Sequence, residues 1–300
     1  YVFNELNYEN WNPYQQQIHR PYTDISFGET KMTMAVTDAL VGPDSKRELP
    51  EVQAFCRLRV RGNSLMRRQG TDQQSFKELN VTYADSTFFE IFPLQLLEGT
   101  TQKALVRPNT IAISRTAAEK YFGSHQLALG QNLIRDDNVT YQITAVFEDI
   151  PVNTHFQTDF LIDMNGYEGV ENAPPFWAAS NNFFTYLKLR PGTDQEAFYQ
   201  KFQSYSREKL EYTANQLMGM TLEEFEATGQ YARVKLQALK DIHLHSQLEY
   251  EMAPNGNIQY VWIFSAIAFF VLIIACINYK NQATASSATR AKEIGMRKVL

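Results

Sequence analysis

The pair His243 and His245 in "DIHLHS" is the first place to look for chemistry. Imidazoles spaced i, i+2 on a strand share one face, where they could act as two ligands of a metal. No third ligand stands nearby, and two ordinary histidines at a strand end are the simpler reading. The basic cluster is "RLRVRGNSLMRR", Arg57 to Arg68. Arg57, Arg59 and Arg61 alternate with Leu58 and Val60, which reads as a half-exposed strand with a basic face, either solvated or turned to an anionic ligand. Glu148 and Asp149 precede Pro151 at a strand end and read as a solvated turn, and Glu249 and Glu251 as exposed carboxylates. Glycines never form GxGxxG or a P-loop, so the chain is not expected to bind ATP itself. The expectation for residues 1–258 is no catalytic residue, no cofactor and no metal. A large folded region without a reactive site points to binding or mechanical work.

The elements that would carry these residues fall into blocks. In the first, "ISFGETKMTMAVT" (25–37) alternates as a strand, and "LPEVQAFCRL" reads as a short helix with Pro50 at its first position. "RLRVRG" and "KELNVTYA" read as strands, and "DSTFFEIFP" as a helical turn capped by Asp85 and stopped by Pro93. In the second, from about 94 to 165, "NTIAIS" is a strand and "SRTAAEKYFG" a helix with Ser114 as N-cap and Gly123 at its stop. "QNLIRDDNVTYQITAVFEDI" reads as a hairpin and "FQTDFLIDM" as one more strand. Residues 166–182 form a loop by composition. The third block holds the strand "FFTYLKLR", then a long helix with a Thr193/Glu196 capping box and a Phe198, Phe202, Tyr205 stripe, and the closing strand "ARVKLQALKDIHL". The fold class is α+β: a split β-α-β sheet subdomain (20–93 and 183–250) with a β-rich subdomain (94–165) inserted into it, followed by one transmembrane helix.

That helix is "YVWIFSAIAFFVLIIACI", Tyr260 to Ile277, within 259–279. Eighteen helical residues span roughly 27 Å, close to the ~30 Å hydrocarbon core of a bilayer. Tyr260, Trp262 and Tyr279 flank it as an aromatic belt does. Residues 280–300 then carry Lys280, Arg290, Lys292, Arg297 and Lys298 against Glu293, a net of +4. The chain as a whole is −5, so the part before the rod is −9. Positive flanks stay in the cytoplasm, which places 1–258 outside. Residues 1–20 have no apolar h-region, so export of this domain predicts a first transmembrane helix upstream of Tyr1, with 1–19 following it. With 20 Phe, 16 Tyr and 3 Trp the outer region can bury a core. Cys56 stands alone there, so packing rather than an intrachain disulfide must hold it. Its acidity argues against a nucleic-acid partner.

Several stretches resemble the MacB/FtsX-like ABC transporter permeases. "DSTFFEIFPLQLLEGTTQKALVRPNTIAISRTAAEKYFG" and "LGQNLIRDDNVTYQITAVFEDIPVNTHFQTDFLI" are similar to that family's periplasmic region. The most specific likeness is "NIQYVWIFSAIAFFVLIIACINYKNQATASSATRAKEIGMRKVL", which resembles its second membrane helix and the segment beyond. Residues 166–235 match poorly in detail. The resemblance implies a periplasmic region between the first two helices of a four-helix permease in the inner membrane. It further implies a homodimer paired with a cytoplasmic ATP-binding subunit or domain, with a periplasmic or outer-membrane protein partner. It makes Arg290, Ala291, Lys292, Glu293, Ile294, Gly295, Met296, Arg297 and Lys298 the segment coupled to the ATPase. Ala288, Ala291, Ile294 and Val299 do recur at roughly helical spacing, with the basic residues opposite. Another reading is a membrane-anchored extracytoplasmic sensor that signals through its helix; two further apolar rods downstream would separate the two. A membrane-anchored enzyme is disfavoured, since no reactive set of residues at a specific spacing is found in the sequence.

Overall fold

In the computed structural model residues 1–70 and 75–297 are described, with side chains for all of these except 288, 289 and 292–297. The chain divides into two compact units: Asn7–Asn255, and Tyr1–Leu6 together with Gly256–Leu300.

The larger unit opens with β1 (Ile18–Phe27) and β2 (Thr30–Met34). The alternation over 25–37 predicts one strand. Gly28 instead takes φ +59° and turns the chain into a hairpin, a conformation that costs glycine little. The helix α1 (Val41–Glu48) ends before Pro50, and β3 (Val52–Val60) follows. The expected helix at "LPEVQAFCRL" is therefore a strand. Leu49, restricted by the proline after it, is already extended, and Val52, Ala54, Cys56 and Leu58 are all buried. "KELNVTYA" is split between β5 (Ser75–Glu78), which pairs with β4 (Ser64–Arg68), and a separate β6 (Val81–Ala84). The turn α2 (Phe88–Ile91) has Thr87, not Asp85, at its N-cap, because the Asp85 carboxylate is taken by Arg57.

Next come β7 (Leu96–Gly99), β8 (Thr110–Ser114), α3 (Arg115–Phe122), β9 (Asn132–Arg135), β10 (Thr140–Phe147) and β11 (Phe160–Asp163). The Ser114 side chain accepts from Ala117 N–H and Gly123 closes α3 in the left-handed conformation, both as the sequence indicates. β9 and β10 form the expected hairpin. After the one-turn α4 (Glu168–Glu171) come β12 (Phe184–Leu189), α5 (Gln195–Met218), α6 (Leu222–Ala227) and β13 (Tyr231–Ala238). Asp194 rather than Thr193 caps α5, accepting from Ala197 N–H. The reciprocal capping box lies at Thr221 and Glu224 on α6, a helix the sequence reading missed. The closing strand stops at Ala238. A 3₁₀ turn and the one-turn helix α7 (Ile242–His245) replace its expected end.

The strands join one sheet in the order β13-β1-β12-β3-β6-β11-β8-β10-β9-β4-β5, with β2 on β1 and β7 on β10. This is a mixed α+β fold. β12 pairs antiparallel with β1 and with β3. Every residue of β12 is buried, because alternate side chains enter different cores. Phe184 and Tyr186 pack with Phe88, Phe92 and Phe156. Leu187 and Leu189 pack with Phe198 and Phe202 of α5, the stripe read from sequence. A third core gathers Ile111, Ile113, Tyr121 and Phe160 around α3.

The smaller unit contains the short helix Val2–Leu6 and α8 (Ile258–Arg297). The Tyr1 ring meets Phe264 edge-on at 5.0 Å, and Val261 is buried. Ile258–Ser287 is long and apolar enough to cross a membrane, and it is almost entirely exposed.

Candidate functional site

The sequence-derived candidates scatter. The His243 ring is buried and stacks on Tyr8, while His245 is exposed, so the two do not share the strand face expected of them. Helical geometry after Ala238 turns them apart. Among the described residues no group of His, Cys, Asp and Glu could hold a metal. The alternating arginines are not one solvated face. Arg57 is buried, donates to both Asp85 oxygens at 2.9 and 2.8 Å and to Ala39 O at 2.9 Å, and so ties β3 to the lead of α2. Arg59 donates to Asn182 O, and Arg61 is exposed. Glu148 pairs with Arg115, and Asp149 accepts from Thr116 N–H and its hydroxyl, so both brace the start of α3 instead of forming a solvated turn. In the tail, Arg290 and Ala291 are exposed on α8. Lys292, Glu293, Ile294, Gly295, Met296 and Arg297 continue the helical backbone, and Lys298 lies outside the described residues.

A different constellation is buried where the chain enters and leaves the larger unit. On the incoming side, Glu9 is 1% exposed. Its Oε1 accepts from the His155 backbone N–H and ring Nδ1, each at 2.7 Å. Nδ1 donates to this carboxylate, and Nε2 lies 2.6 Å from the Tyr186 hydroxyl. Asn153 Nδ2 donates to Asn7 O, Glu9 N–H to Asn153 O, and Asn12 Nδ2 to Ile91 O.

On the outgoing side, Glu251 was read as exposed and is instead ion-paired. Arg20 of β1, wholly buried, grips it with Nη1 and Nη2 at 2.6 and 2.7 Å. Arg20 Nη2 also donates to Gln237 Oε1 at 2.9 Å and Ser246 Oγ at 3.3 Å, and the Ser246 hydroxyl donates to Glu251. Burial pushes the Glu251 carboxyl up, but its bonds to Arg20 win and hold it below the ordinary carboxylate value. The outgoing backbone is hydrogen-bonded to β2 as well: Glu249 N–H to Thr33 O at 2.8 Å and Ala35 N–H to Glu249 O at 2.9 Å.

The two clusters converge on Tyr186 of β12, between β1 and β3. Its hydroxyl lies 3.9 Å from Met252 Sδ, and burial raises its pKa far above the usual phenol value. An ion pair held this deep is costly to break, because either partner alone is left as an uncompensated buried charge. The arrangement has no nucleophile and no free base. What it can do is fix both chain connections to the same strands. The sequence reading overlooked Glu9, Arg20 and His155. The signals were faint: β1 reads "IHRPYTDISF", where Arg20 is one polar residue among several, and "PVNTHF" carries a lone histidine.

A mixed sheet domain, clamped where the chain enters and leaves it, is followed by an exposed apolar helix of membrane-spanning length. Residues 10–205 match the MacB-like periplasmic core domain, and the chain belongs to that family. Among solved structures it is similar to a domain of a candidate permease protein from Porphyromonas gingivalis. That likeness has a TM-score of 0.61 and 22% identity over 75% of this chain and 91% of the other, and it shows a shared fold. The periplasmic region of MacB from Actinobacillus actinomycetemcomitans aligns with a TM-score of 0.47 and 12% identity over 73% of this chain and 95% of that one. No curated protein matches.

Proposed function

We propose that the chain is the periplasmic core and following membrane helix of a permease subunit of a MacB/FtsX-like ABC transporter. It passes ATP-driven motion from a cytoplasmic ATP-binding subunit or domain to the domain outside. The observation that carries this reading is the double clamp. Glu9–His155 and Arg20–Glu251 bind the incoming and outgoing segments to β12 and β1, so displacement of those segments moves the sheet instead of being lost in slack linkers. Family membership supports the setting.

In this reading residues 280–300 lie in the cytoplasm of a cell with an inner membrane, 1–258 lie in the periplasm, and a second copy completes the permease. The sheet works as a split subdomain (20–93 and 183–250) with an insert (94–165) that meets a periplasmic or outer-membrane partner. The segment Arg290–Lys298 is the lever against the ATPase, its apolar stripe laid on the partner and its cations aimed at acidic rims. Gly295 costs roughly 1 kcal/mol relative to alanine inside a helix, which marks a close approach or bend.

Ile294→Asp in the full-length permease tests this, since it leaves every Lys and Arg in place. Stimulated ATP hydrolysis and co-purification with the ATPase should both fall. Unchanged binding and turnover would reduce the tail to a charge anchor.

A further inference from the structure

The sheet forks between β3 and β12. β3 runs on to Val60, but its ladder with β12 ends at the Leu58–Phe184 pair. The chain before Phe184 turns toward the end of β2 instead: the N–H groups of Asn182 and Phe183 both donate to Thr37 O, at 3.0 Å each. In the fork lies a cleft of about 490 Å³, which Tyr250, Glu251 and Met252 of the outgoing segment also line. That volume falls in the usual range of small-molecule sites, about 300–1,000 Å³.

The floor of the cleft is apolar. Met34, Val36 and Phe184 are buried there, and Met32 and Met252 pack against the same core. Three of these side chains are methionines, unbranched and adaptable, which shape themselves to an irregular apolar guest. Two charged residues share the lining, and their situations differ. Glu251 is already neutralised by Arg20, at 2.6 and 2.7 Å. Arg59 is half-buried and has no acidic partner among the described residues. The acceptor it meets is Asn182 O at 3.0 Å, a bond that crosses from β3 to the other wall of the fork. The guanidinium therefore lies between the two walls, with N–H groups to spare. It is the one unbalanced charge of the cleft.

We infer that this cleft binds an apolar molecule of medium length that ends in one carboxylate. The apolar chain lies on the methionines, and the carboxylate takes the spare N–H groups of Arg59, whose planar fork matches two oxygens side by side. One cation calls for one negative charge. A second would stand unbalanced near Glu251, and a neutral or cationic head would leave Arg59 unanswered. Tyr250 ties the site to the outgoing segment. Its φ of +59° is a conformation that bulky side chains rarely adopt, and such strain gathers at ligand clamps. The next two residues touch the clamp: Glu251 through Arg20, and Met252 through the Tyr186 hydroxyl. A guest in the cleft thus braces the outgoing segment against β2 and β3. The binding does not depend on the permease reading; what the bracing does to transmitted motion rests on it.

The test uses the full chain in phosphatidylcholine nanodiscs, with isotope-labelled methionine methyl groups read by NMR and octanoate as the probe. Octanoate should shift the Met32, Met34 and Met252 signals saturably and leave those of Met66 and Met164, in the core around α3, unmoved. Octanol, octylammonium and octyl phosphate should each bind at least ten-fold more weakly. They share the chain of octanoate, so uptake into lipid does not mimic the result. Arg59→Gln should weaken octanoate at least ten-fold, and Arg59→Lys less, with the melting temperature within a few degrees of the parent. Val60→Trp fills the cleft from a partly exposed wall and should abolish the shifts. If Arg59→Gln fails to fold, the head-group series and Val60→Trp decide alone. Absence of saturable shifts in the folded parent chain overturns the inference. So do shifts that extend equally to Met66 and Met164, binding of octanol or octyl phosphate as tight as that of octanoate, or binding indifferent to Arg59→Gln or to Val60→Trp.

Discussion

The larger unit and α8 follow opposite rules of burial. In the first, Arg20, Glu9 and Asp38 are inside and paired or hydrogen-bonded. In the second, Phe269, Phe270 and Leu272 are each more than half exposed, with no polar face opposite. One is written for water, where buried charge survives only with a partner, and the other for a solvent as apolar as its own side chains. The difference makes one residue type diagnostic: an arginine is indispensable inside the larger unit and intolerable within the apolar stretch of α8, which carries its own arginines only beyond that stretch.

Removing an arginine from the first region should give the largest effect. Arg20→Met strands Glu251 in the interior and should cost about 3–5 kcal/mol of unfolding free energy. The double variant Arg20→Met with Glu251→Gln should recover more than half of that loss. Urea unfolding of the chain in detergent reads both, and equal losses in single and double variants would show that the pair is not what holds the outgoing segment.

Adding an arginine to the second region should cost nearly as much, in a different currency. Phe269→Arg places a charge mid-helix and should disfavour membrane insertion by about 3 kcal/mol, with the protease resistance of Asn7–Asn255 unchanged. Insertion that is unaffected would make α8 a helix that does not cross the bilayer.

The smallest effect sharpens the contrast within the larger unit, where two buried groups titrate in opposite senses. Burial, with Lys240 nearby, lowers His19 from 6.5 to about 4. The unfolded chain takes up this proton first, so His19 subtracts stability as pH falls from about 6.5 to about 4. Burial raises Asp38 from 3.8 to about 6, against the backbone N–H groups of Leu40 and Ser180. The folded chain takes up that proton first, so Asp38 adds stability as pH falls from about 6 to about 4. Relative to the parent, His19→Gln should gain and Asp38→Asn should lose about 2 kcal/mol between pH 7 and pH 4, discounting the full shifts for incomplete burial. Denaturation midpoints at the two pH values check the signs, and parallel profiles for all three chains would refute them.

How much of this was legible in the sequence depended on whether the signal was local. Ser114 and Gly123 bracket α3 because a cap and a left-handed stop act within one turn, and the Asp-Asp-Asn turn set its hairpin for the same reason. Pro50 misled: proline opens helices, but it also forces the residue before it to be extended, and the buried alternation from Val52 onward settled the matter. Gly28 sat unnoticed inside an alternating run. The clamp was less legible still. Glu9 and His155 are 146 residues apart and Arg20 and Glu251 are 231 apart, so their partnership exists only after the sheet has formed. Neither Arg20, one polar residue among several in β1, nor the lone histidine of "PVNTHF" names its mate.

The ladder between β1 and β13 has its His19–Ala238 rung at the same end as the incoming and outgoing segments. Strands tugged from opposite ends resist in shear, with every rung loaded together. Strands tugged apart from a shared end open like a zipper, one rung after another. The larger unit is wired in the second, weaker way. Arg20 sits one rung in from that mouth and reaches across to Glu251, so a separating force meets the ion pair before it reaches the rungs behind it. Under a load that drew the two segments apart, the pair would act as a zipper stop, met before any rung behind it could peel.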